Sequence, residues 1–221
     1  MFATFLKKAT MKNIATQLLK IGAVFLRPEQ PFTWASGIKS PIYCDNRLIL
    51  SSPEAREIVE KSLAESVTSH FPECEMLMGT STAGIAHAAI TATQLGLPMG
   101  YVRSSAKDHG RTNRIEGRMD AGTKVVVIED LISTGGSCLE VVDALREANG
   151  EVLGVVSIFT YGMAAATQKF ENAHTVNFSL THLDELVEVA VNENYITEKQ
   201  RMAILHFRDN PADESWLDML K

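Results

Sequence analysis

The chain has 221 residues, of which 45% are apolar and 22% charged, with a formal net charge of −6 at pH 7. This length and composition can bury a substantial core and predict one α/β domain with appendages. The acidic balance argues against nucleic acid as the main partner, because neutralising phosphates requires a net basic face. No apolar run approaches the roughly 20 residues of a membrane-spanning helix, so we expect no membrane partner.

The chain start and the cysteines both favour a cytoplasmic protein. The first residues are amphipathic and lack the apolar region and small-residue cleavage site of a secretory signal. Cys44, Cys74 and Cys138 are odd in number, without C-x-x-C spacing or a histidine at metal-ligand spacing. They therefore predict buried, reduced thiols, and neither a disulfide framework nor a zinc site.

The first elements in chain order are two helices separated by an irregular segment. Ile14 and Leu18 share one helical face, and Gly22 can end that helix. Residues 31–50 then mix aromatic, glycine, proline and charged residues without a clear period. Residues 52–70 predict the second helix, because a serine cap, a first-position proline and an acid in the first turn are typical of a helix start.

Two strand–helix–strand units follow along the chain. The first has strands at residues 75–79 and 99–103 around a helix at 84–95, and the second has strands at 124–130 and 151–161 around a helix at 137–148. Both have the spacing of a parallel βαβ unit. Together they predict a doubly wound, mostly parallel sheet, whose ligands bind beyond the carboxyl ends of the strands.

The stretch VVVIEDLISTGGS, residues 125–137, carries the strongest chemical signal. Its buried-strand residues end in Glu129 and Asp130, which are costly to desolvate unless something binds them. Hydroxyl residues and paired glycines then lead into a predicted helix, so the N–H groups of residues 133–137 can bind an anion. A phosphate on this loop and two hydroxyls on the acids describe a ribose 5-phosphate; the alternative is a receiver-like acidic strand end.

A segment of residues 104–123 separates the two units and shows little hydrophobic periodicity. A connector this long inside a compact domain predicts a lid or binding loop. Its positively charged residues and neighbouring histidine are Lys107, His109, Arg111, Arg114 and Arg118. Such cations suit a polyphosphate leaving group, because closing over it stabilises charge and excludes water. The alternative is a solvated basic loop.

Three motifs together resemble a known family. VVVIEDLISTGGS resembles the phosphoribosyl-pyrophosphate motif of type I phosphoribosyltransferases. RSSAKDHG, residues 103–110, resembles the catalytic-loop signature of the orotate phosphoribosyltransferases. FTWASGIKSPIYCDNR, residues 32–47, is similar to their N-terminal segment in the branch found in many bacteria. The motifs occur in the family's order, and the resemblance covers about residues 11–160.

This resemblance implies the fold, the reaction and the partners. The implied fold is that of the type I phosphoribosyltransferases, as one domain over residues 1–221. Its parts are a hood (about residues 11–50), a core (about 51–180) and a C-terminal helical segment (about 181–221). The implied reaction converts orotate and phosphoribosyl pyrophosphate to orotidine 5′-monophosphate and pyrophosphate in pyrimidine synthesis. The implied cofactor is Mg²⁺, bound mainly through the pyrophosphate. The implied assembly is a homodimer in which the lid of each subunit reaches the site of the other.

The resemblance also implies roles for individual residues. Lys107, His109 and Asp130 would be catalytic, and Arg103, Lys107 and His109 would contact the pyrophosphate in the neighbouring subunit. Glu129 and Asp130 would hold the ribose hydroxyls. The phosphate loop would comprise Leu131, Ile132, Ser133, Thr134, Gly135, Gly136 and Ser137. Ser133 would also reach orotate.

The orotate carboxylate requires a cation or directed N–H donors, and Arg47 and Lys39 are the candidates. Of these we prefer Arg47; for each, the alternative is a surface charge. The chain departs from another branch of the family at Ala35 and Tyr161, where that branch has lysine and arginine, and Ser104 replaces a common second lid lysine. Oxocarbenium-like chemistry needs no covalent nucleophile, so we expect Cys138 to be a packing residue.

Two other functions share these motifs. One is transfer to another base, because the loop and the acids do not encode the base. The other is a transcriptional regulator that senses phosphoribosyl pyrophosphate, which would carry a basic DNA-binding segment before the fold. Only about 30 residues precede the hood motif and the chain is acidic, so the sequence favours the enzyme.

Overall fold

A computed structural model describes residues 2–34, 37–104 and 114–221 of the chain. The helices are α1 (Phe2–Lys20), α2 (Pro53–His70), α3 (Ala83–Leu95), α4 (Gly136–Glu147), α5 (Ala164–Asn172), α6 (Leu183–Asn192) and α7 (Glu198–Asp209). The strands are β1 (Val24–Leu26), β2 (Phe32–Thr33), β3 (Lys39–Ser40), β4 (Ile42–Cys44), β5 (Met76–Thr80), β6 (Met99–Val102), β7 (Ile115–Glu116), β8 (Lys124–Ile132), β9 (Glu151–Thr160) and β10 (Asn177–His182). Short 3₁₀ helices cover Asn46–Ser51 and Glu214–Leu220.

The central sheet of the described residues has the strand order β10-β9-β8-β5-β6-β7. All neighbouring strands in it are parallel except β7, which pairs antiparallel with β6. The predicted doubly wound, mostly parallel sheet is therefore confirmed. Because β5, β6 and β8 are adjacent and parallel, their carboxyl ends meet at one edge, where such sheets bind ligands.

Strand β8 forms the middle of the core because its β-branched residues are buried on both faces. Val126 and Ile128 pack in one apolar cluster with Leu63 of α2. Val125 and Val127 pack in a second cluster, with Val142 of α4 among others. A strand covered on both faces reads as a continuous apolar run, and fully burying each such side chain contributes about 1.5–3 kcal/mol. This packing fixes the position of β8 in the sheet, and therefore the position of Glu129 and Asp130 near its carboxyl end.

Several predicted features agree with the structure. Helix α2 begins after Ser52, whose side chain accepts a hydrogen bond from the Ala55 N–H at 3.5 Å. The Cys138 thiol, expected to be a packing group, is buried. All three cysteines fall within the described residues, and their thiols are free. Burial raises the pKa of the Cys138 thiol well above its ordinary value, which fits a packing residue.

Four features differ from the sequence predictions. Strand β8 does not end at the acids: it continues to Ile132, because Leu131 and Ile132 still pair with β9. The segment of residues 104–123 includes β7, in which a buried Ile115 pairs with Val102. Helix α5 and strand β10 were not predicted. Helix α5 buries only two side chains, and β10 is a largely polar edge strand, so neither has a strong period.

The hood and the C-terminal segment pack against each other. Trp34 of the hood lies with its ring centroid 5.7 Å from Phe207 of α7 and 6.3 Å from Tyr161. Lys39 forms an ion pair with Glu214 at 3.0 Å, and Trp216 is fully buried. The C-terminal segment therefore packs against the hood and supports it. Among the described helices, none has both the length and the apolarity of a membrane span.

Candidate active site

Glu129 lies at the carboxyl edge of the sheet and is held by two hydrogen bonds. The Thr80 hydroxyl at the end of β5 donates to its Oε1 at 2.6 Å, and the Asp130 N–H donates to the same oxygen at 2.9 Å. Glu129 is 5% exposed, whereas Asp130 is half-buried. The two acids therefore differ in their surroundings. Glu129 is a buried carboxyl held by hydrogen bonds, whereas Asp130 is partly exposed at the edge of the sheet.

Burial and, after it, the neighbouring Asp130 carboxyl raise the pKa of Glu129 to about 8, although the Thr80 hydrogen bond acts to lower it. Two carboxyl groups this close resist ionising together. Glu129 is therefore poised to release a proton near neutral pH when a polar or cationic ligand replaces its desolvated surroundings.

This pKa predicts a pH dependence of stability. The unfolded chain loses the Glu129 proton above its ordinary pKa of about 4.3, whereas the folded chain keeps it. The contribution of this group to the free energy of unfolding therefore falls as the pH rises from about 4.3 to about 8, and it stays constant at higher pH. The glutamine side chain does not titrate, so Glu129→Gln lacks this loss. We expect the free energy of unfolding of the variant minus that of the parent chain to increase by at least about 1 kcal/mol as the pH rises from 5 to 8.5. Urea unfolding at a series of pH values measures this difference; parallel stability curves would contradict it.

The phosphate loop follows β8 directly. The Ile132 carbonyl accepts hydrogen bonds from the Tyr161 N–H at 3.0 Å and the Thr160 hydroxyl at 3.2 Å, which anchors the strand end. Residues 133–135 then turn into α4, whose N-cap is Gly135 with a φ of +75°. Only glycine adopts this backbone without strain, and it offers no side chain to cap the first N–H groups of α4. Free N–H groups at a helix start are the kind of group that the sequence predicted for binding a phosphate.

The predicted loop residues do not all lie in the loop. Leu131 and Ile132 belong to β8, and Ile132 is buried. Ser133, Thr134 and Gly135 form the turn, while Gly136 and Ser137 begin α4. Of the residues predicted for the phosphate loop, only 133–137 therefore lie in the turn and the start of α4.

Helix α3 approaches the acids closely because it begins with small residues. A Cβ atom added at Gly84 would lie 2.5 Å from both the Thr80 hydroxyl oxygen and the Ile128 carbonyl oxygen. Any side chain there would push Thr80 away from Glu129. Further along α3, His87 is fully buried and its Nδ1 lies 2.6 Å from Oε1 of Glu60 on α2. His87 is therefore a buried residue that joins α3 to α2.

Asn46 joins the hood to the acid motif. Its side-chain amide donates to the Asp130 carbonyl at 2.7 Å, and its Oδ1 accepts from the Cys44 thiol at 3.2 Å. Only 1% of Asn46 is exposed. Both bonds are shielded from water, so the hood is held in register with the end of β8.

Replacing Asn46 with alanine is expected to lower the free energy of unfolding by about 1–3 kcal/mol. The substitution leaves the buried thiol and the Asp130 carbonyl without their partner. Urea unfolding of Asn46→Ala measures the loss. Asn13→Ala is the matched control, because Asn13 is an exposed residue within α1. An equal change in both variants would show that the buried amide does not stabilise the hood.

Arg103 lies just beyond β6, at the same sheet edge. Its guanidinium pairs with Glu116 at 3.7 Å, and its Nη1 is buried without a hydrogen-bond partner among the described residues. The Arg103 N–H donates to the Arg114 carbonyl at 2.9 Å, and Nε of Arg114 donates back to the Arg103 carbonyl at 2.9 Å. These two bonds join the chain on either side of residues 104–113, which belong to the predicted lid of residues 104–123. Lys107, His109 and Arg111 lie outside the described residues.

The orotate candidates lie apart from one another. Arg47 is exposed and pairs with Asp45 through two contacts of 2.6 and 2.8 Å, and Asp45 raises the pKa of Arg47. The Asp130 charge also raises the pKa of Arg47. Lys39 instead pairs with Glu214. Ser133 is half-buried in the turn before α4. Arg47 is thus held by Asp45 within the hood, and Lys39 joins the hood to the C-terminal segment.

Sequence reasoning missed Thr80 and Asn46. Thr80 could have been found from the parallel pairing of β5 with β8, since it ends the neighbouring strand at the same edge. Asn46 carried no local signal, because a single amide in an irregular segment has many possible partners.

Comparison with known proteins places this site in a family. The model of the phosphoribosyl transferase domain family matches residues 48–191. The chain is 54% identical to the orotate phosphoribosyltransferase of Bacillus anthracis over 206 residues, which cover 93% of this chain and 98% of that protein. It is 56% identical to that of Listeria monocytogenes over 205 residues, covering 93% and 97%.

A solved structure agrees with these sequence relatives. The fold is similar to that of orotate phosphoribosyltransferase from Aeropyrum pernix, with a TM-score of 0.72 and 26% identity over 83% of this chain and 99% of that chain. The resemblance drawn from the three motifs is confirmed over nearly the whole length. The chain therefore belongs to the orotate phosphoribosyltransferase family.

Proposed function

We propose that this chain transfers the 5-phosphoribosyl group from phosphoribosyl pyrophosphate to orotate. The products are orotidine 5′-monophosphate and pyrophosphate, in pyrimidine nucleotide synthesis. The relatives named orotate phosphoribosyltransferase, more than half identical over nearly their full lengths, support this reaction. The observation that carries it in the structure is the acid pair near the carboxyl end of β8, followed by the turn of residues 133–135 into α4.

The geometry suits a transfer without a covalent protein intermediate. The bond from the anomeric carbon to the pyrophosphate oxygen breaks, and a bond from that carbon to an orotate ring nitrogen forms. Positive charge develops on the ribose and negative charge on the pyrophosphate. Asp130, half-buried at the edge, supplies a carboxylate near the ribose. Arg103 and the lid cations Lys107 and His109 would bind the departing pyrophosphate.

We propose Mg²⁺ as the cofactor. Magnesium binds through one or two carboxylates together with substrate phosphates, and it retains several waters. The half-buried Asp130 carboxylate is a ligand of this kind, beside the loop that would hold the substrate. Asp130 would help to hold an ion bound mainly through the pyrophosphate, and the ion would supply positive charge to that leaving group.

We propose a homodimer in which the lid of one subunit completes the site of the other. The family resemblance supports this arrangement, and so does the long cationic segment between β6 and β8. The phosphorylated substrates of the proposed reaction support a cytoplasmic location.

Orotate consumption tests the function directly. Its ultraviolet absorbance is followed with phosphoribosyl pyrophosphate and Mg²⁺ present, and with each omitted in turn. We expect loss of absorbance that requires both. The same enzyme is then offered hypoxanthine, uracil and xanthine. Turnover of one of these bases without turnover of orotate would show that the enzyme acts on that base and not on orotate. Binding of phosphoribosyl pyrophosphate without transfer to any base would favour a regulator that senses this compound.

A further inference from the structure

Helix α5 packs directly against the phosphate loop, although the sequence did not predict this helix. A Cβ atom added at Gly135 would lie 3.0 Å from the ring of Phe170 and 3.8 Å from Cα of Ala166. Phe170 is buried and belongs to the same apolar cluster as Cys138 and Leu139 of α4. This contact fixes α5 beside the loop, so that residues next to Phe170 border the anion site.

The side chain of Lys169 reaches the loop from α5. Its Nζ lies 3.7 Å from the position that a Cβ of Gly136 would occupy, at the first residue of α4. Residues three and four positions away on α5 can pair with a charged side chain on a helix surface. For Lys169 these are Ala165, Ala166, Asn172 and Ala173, none of them acidic. The Lys169 side chain forms no hydrogen bond or ion pair with the other described residues.

The loop carries no charged side chain of its own. Residues 133–137 contain hydroxyl and glycine residues only, so the loop itself offers backbone N–H groups and the partial charge of the helix start. A phosphate monoester carries roughly 1.5–2 negative charges at neutral pH. A lysine at the loop rim supplies a full positive charge on a flexible stem, which suits a phosphate as a point charge.

We propose that Lys169 binds the 5′-phosphate of phosphoribosyl pyrophosphate, an inference that rests on the proposed function of the loop. Lys169 acts from the side of α5, while the N–H groups of residues 133–137 hold the phosphate from the start of α4. The 5′-phosphate keeps its charge throughout the transfer. Lys169 therefore binds substrate and transition state equally, and its loss raises KM with little change in kcat.

The test compares Lys169→Ala with the parent enzyme. We expect KM for phosphoribosyl pyrophosphate to rise about fivefold to tenfold, with kcat within about twofold. Lys169→Arg keeps the charge and is expected to retain most of the affinity. Lys61→Ala is the matched control, because Lys61 is an exposed lysine on α2 that plays no part in the site. An unchanged KM in Lys169→Ala would overturn the proposal.

Two inhibitors separate the phosphate site from general electrostatics. Ribose 5-phosphate carries the 5′-phosphate alone, and pyrophosphate lacks it. In Lys169→Ala, inhibition by ribose 5-phosphate is expected to weaken by the same factor as substrate binding, while inhibition by pyrophosphate stays constant. Equal weakening of both would show a nonspecific field effect and contradict the assignment.

Direct binding keeps this inference distinct from the proposed function. Calorimetric titration of ribose 5-phosphate into the parent and variant proteins needs no turnover of orotate. Weaker binding by Lys169→Ala supports the phosphate contact even if another base is the substrate. Equal binding by the two proteins overturns it even if orotate is consumed. Thermal unfolding checks that the exposed helix substitution leaves the fold intact, as alanine's helix propensity predicts.

Discussion

Replacing Lys107 with alanine is expected to lower kcat by about 100- to 1,000-fold, the typical effect of removing one group that stabilises developing charge. Lys107 lies outside the described residues, in the segment whose ends are joined by Arg103 and Arg114 at the edge of the sheet. Negative charge gathers on pyrophosphate only as its bond to the ribose breaks. A cation that meets this charge affects kcat more than KM.

Steady-state kinetics of Lys107→Ala with saturating orotate measures the effect. Lys61→Ala controls for the loss of an exposed positive charge elsewhere, and thermal unfolding checks that the fold is intact. Unchanged turnover would remove Lys107 from the catalytic assignment. A rise in KM with kcat preserved would instead make it a substrate-binding residue.

Replacing Asp130 with asparagine is expected to lower kcat/KM for phosphoribosyl pyrophosphate by about 10- to 100-fold. Hydrogen bonds to a charged group are worth about 1.5–3 kcal/mol, and the substitution removes the charge while keeping the shape. The bond from Asn46 to the Asp130 backbone carbonyl does not involve the side chain, so the hood contact is retained. The variant also removes a cause of the raised Glu129 pKa, which is expected to fall.

Affinity for phosphoribosyl pyrophosphate, measured by calorimetry with Mg²⁺ present, checks the ribose assignment independently of turnover. Asp143→Asn is the matched control, because Asp143 is an exposed acid on α4. Equal affinity of Asp130→Asn and the parent protein would count against a role in holding the ribose.

Mixing the Lys107→Ala and Asp130→Asn variants tests whether the lid of one subunit completes the site of the other. A hybrid dimer of Lys107→Ala and Asp130→Asn subunits has one site in which the lid and the acid pair are both intact, if the lid acts across the interface. Recovered activity on mixing would support that arrangement. Activity that stays at the level of the separate variants, in hybrids verified by mass spectrometry, would favour a lid that serves its own subunit.

The sequence determined the features whose information lies in short contiguous stretches. The cap residues at 52–54 located the start of α2, and the apolar run before Glu129 located β8. The order of acids, hydroxyl residues and glycines in residues 125–137 predicted the loop at the start of α4. The same motifs identified the family. Such features depend on interactions within a few residues, which local propensity and spacing express directly.

Only the tertiary structure decided which distant residues complete the site. Thr80 meets Glu129 from 49 residues away because β5 and β8 are parallel neighbours in register. Asn46 meets Asp130 from 84 residues away because the hood closes on the end of β8. The sequence favoured Arg47 as the orotate candidate, with Lys39 as the second, and packing of the C-terminal segment pairs Lys39 with Glu214. Contacts of this kind depend on strand order and packing, and a local sequence pattern carries no record of either.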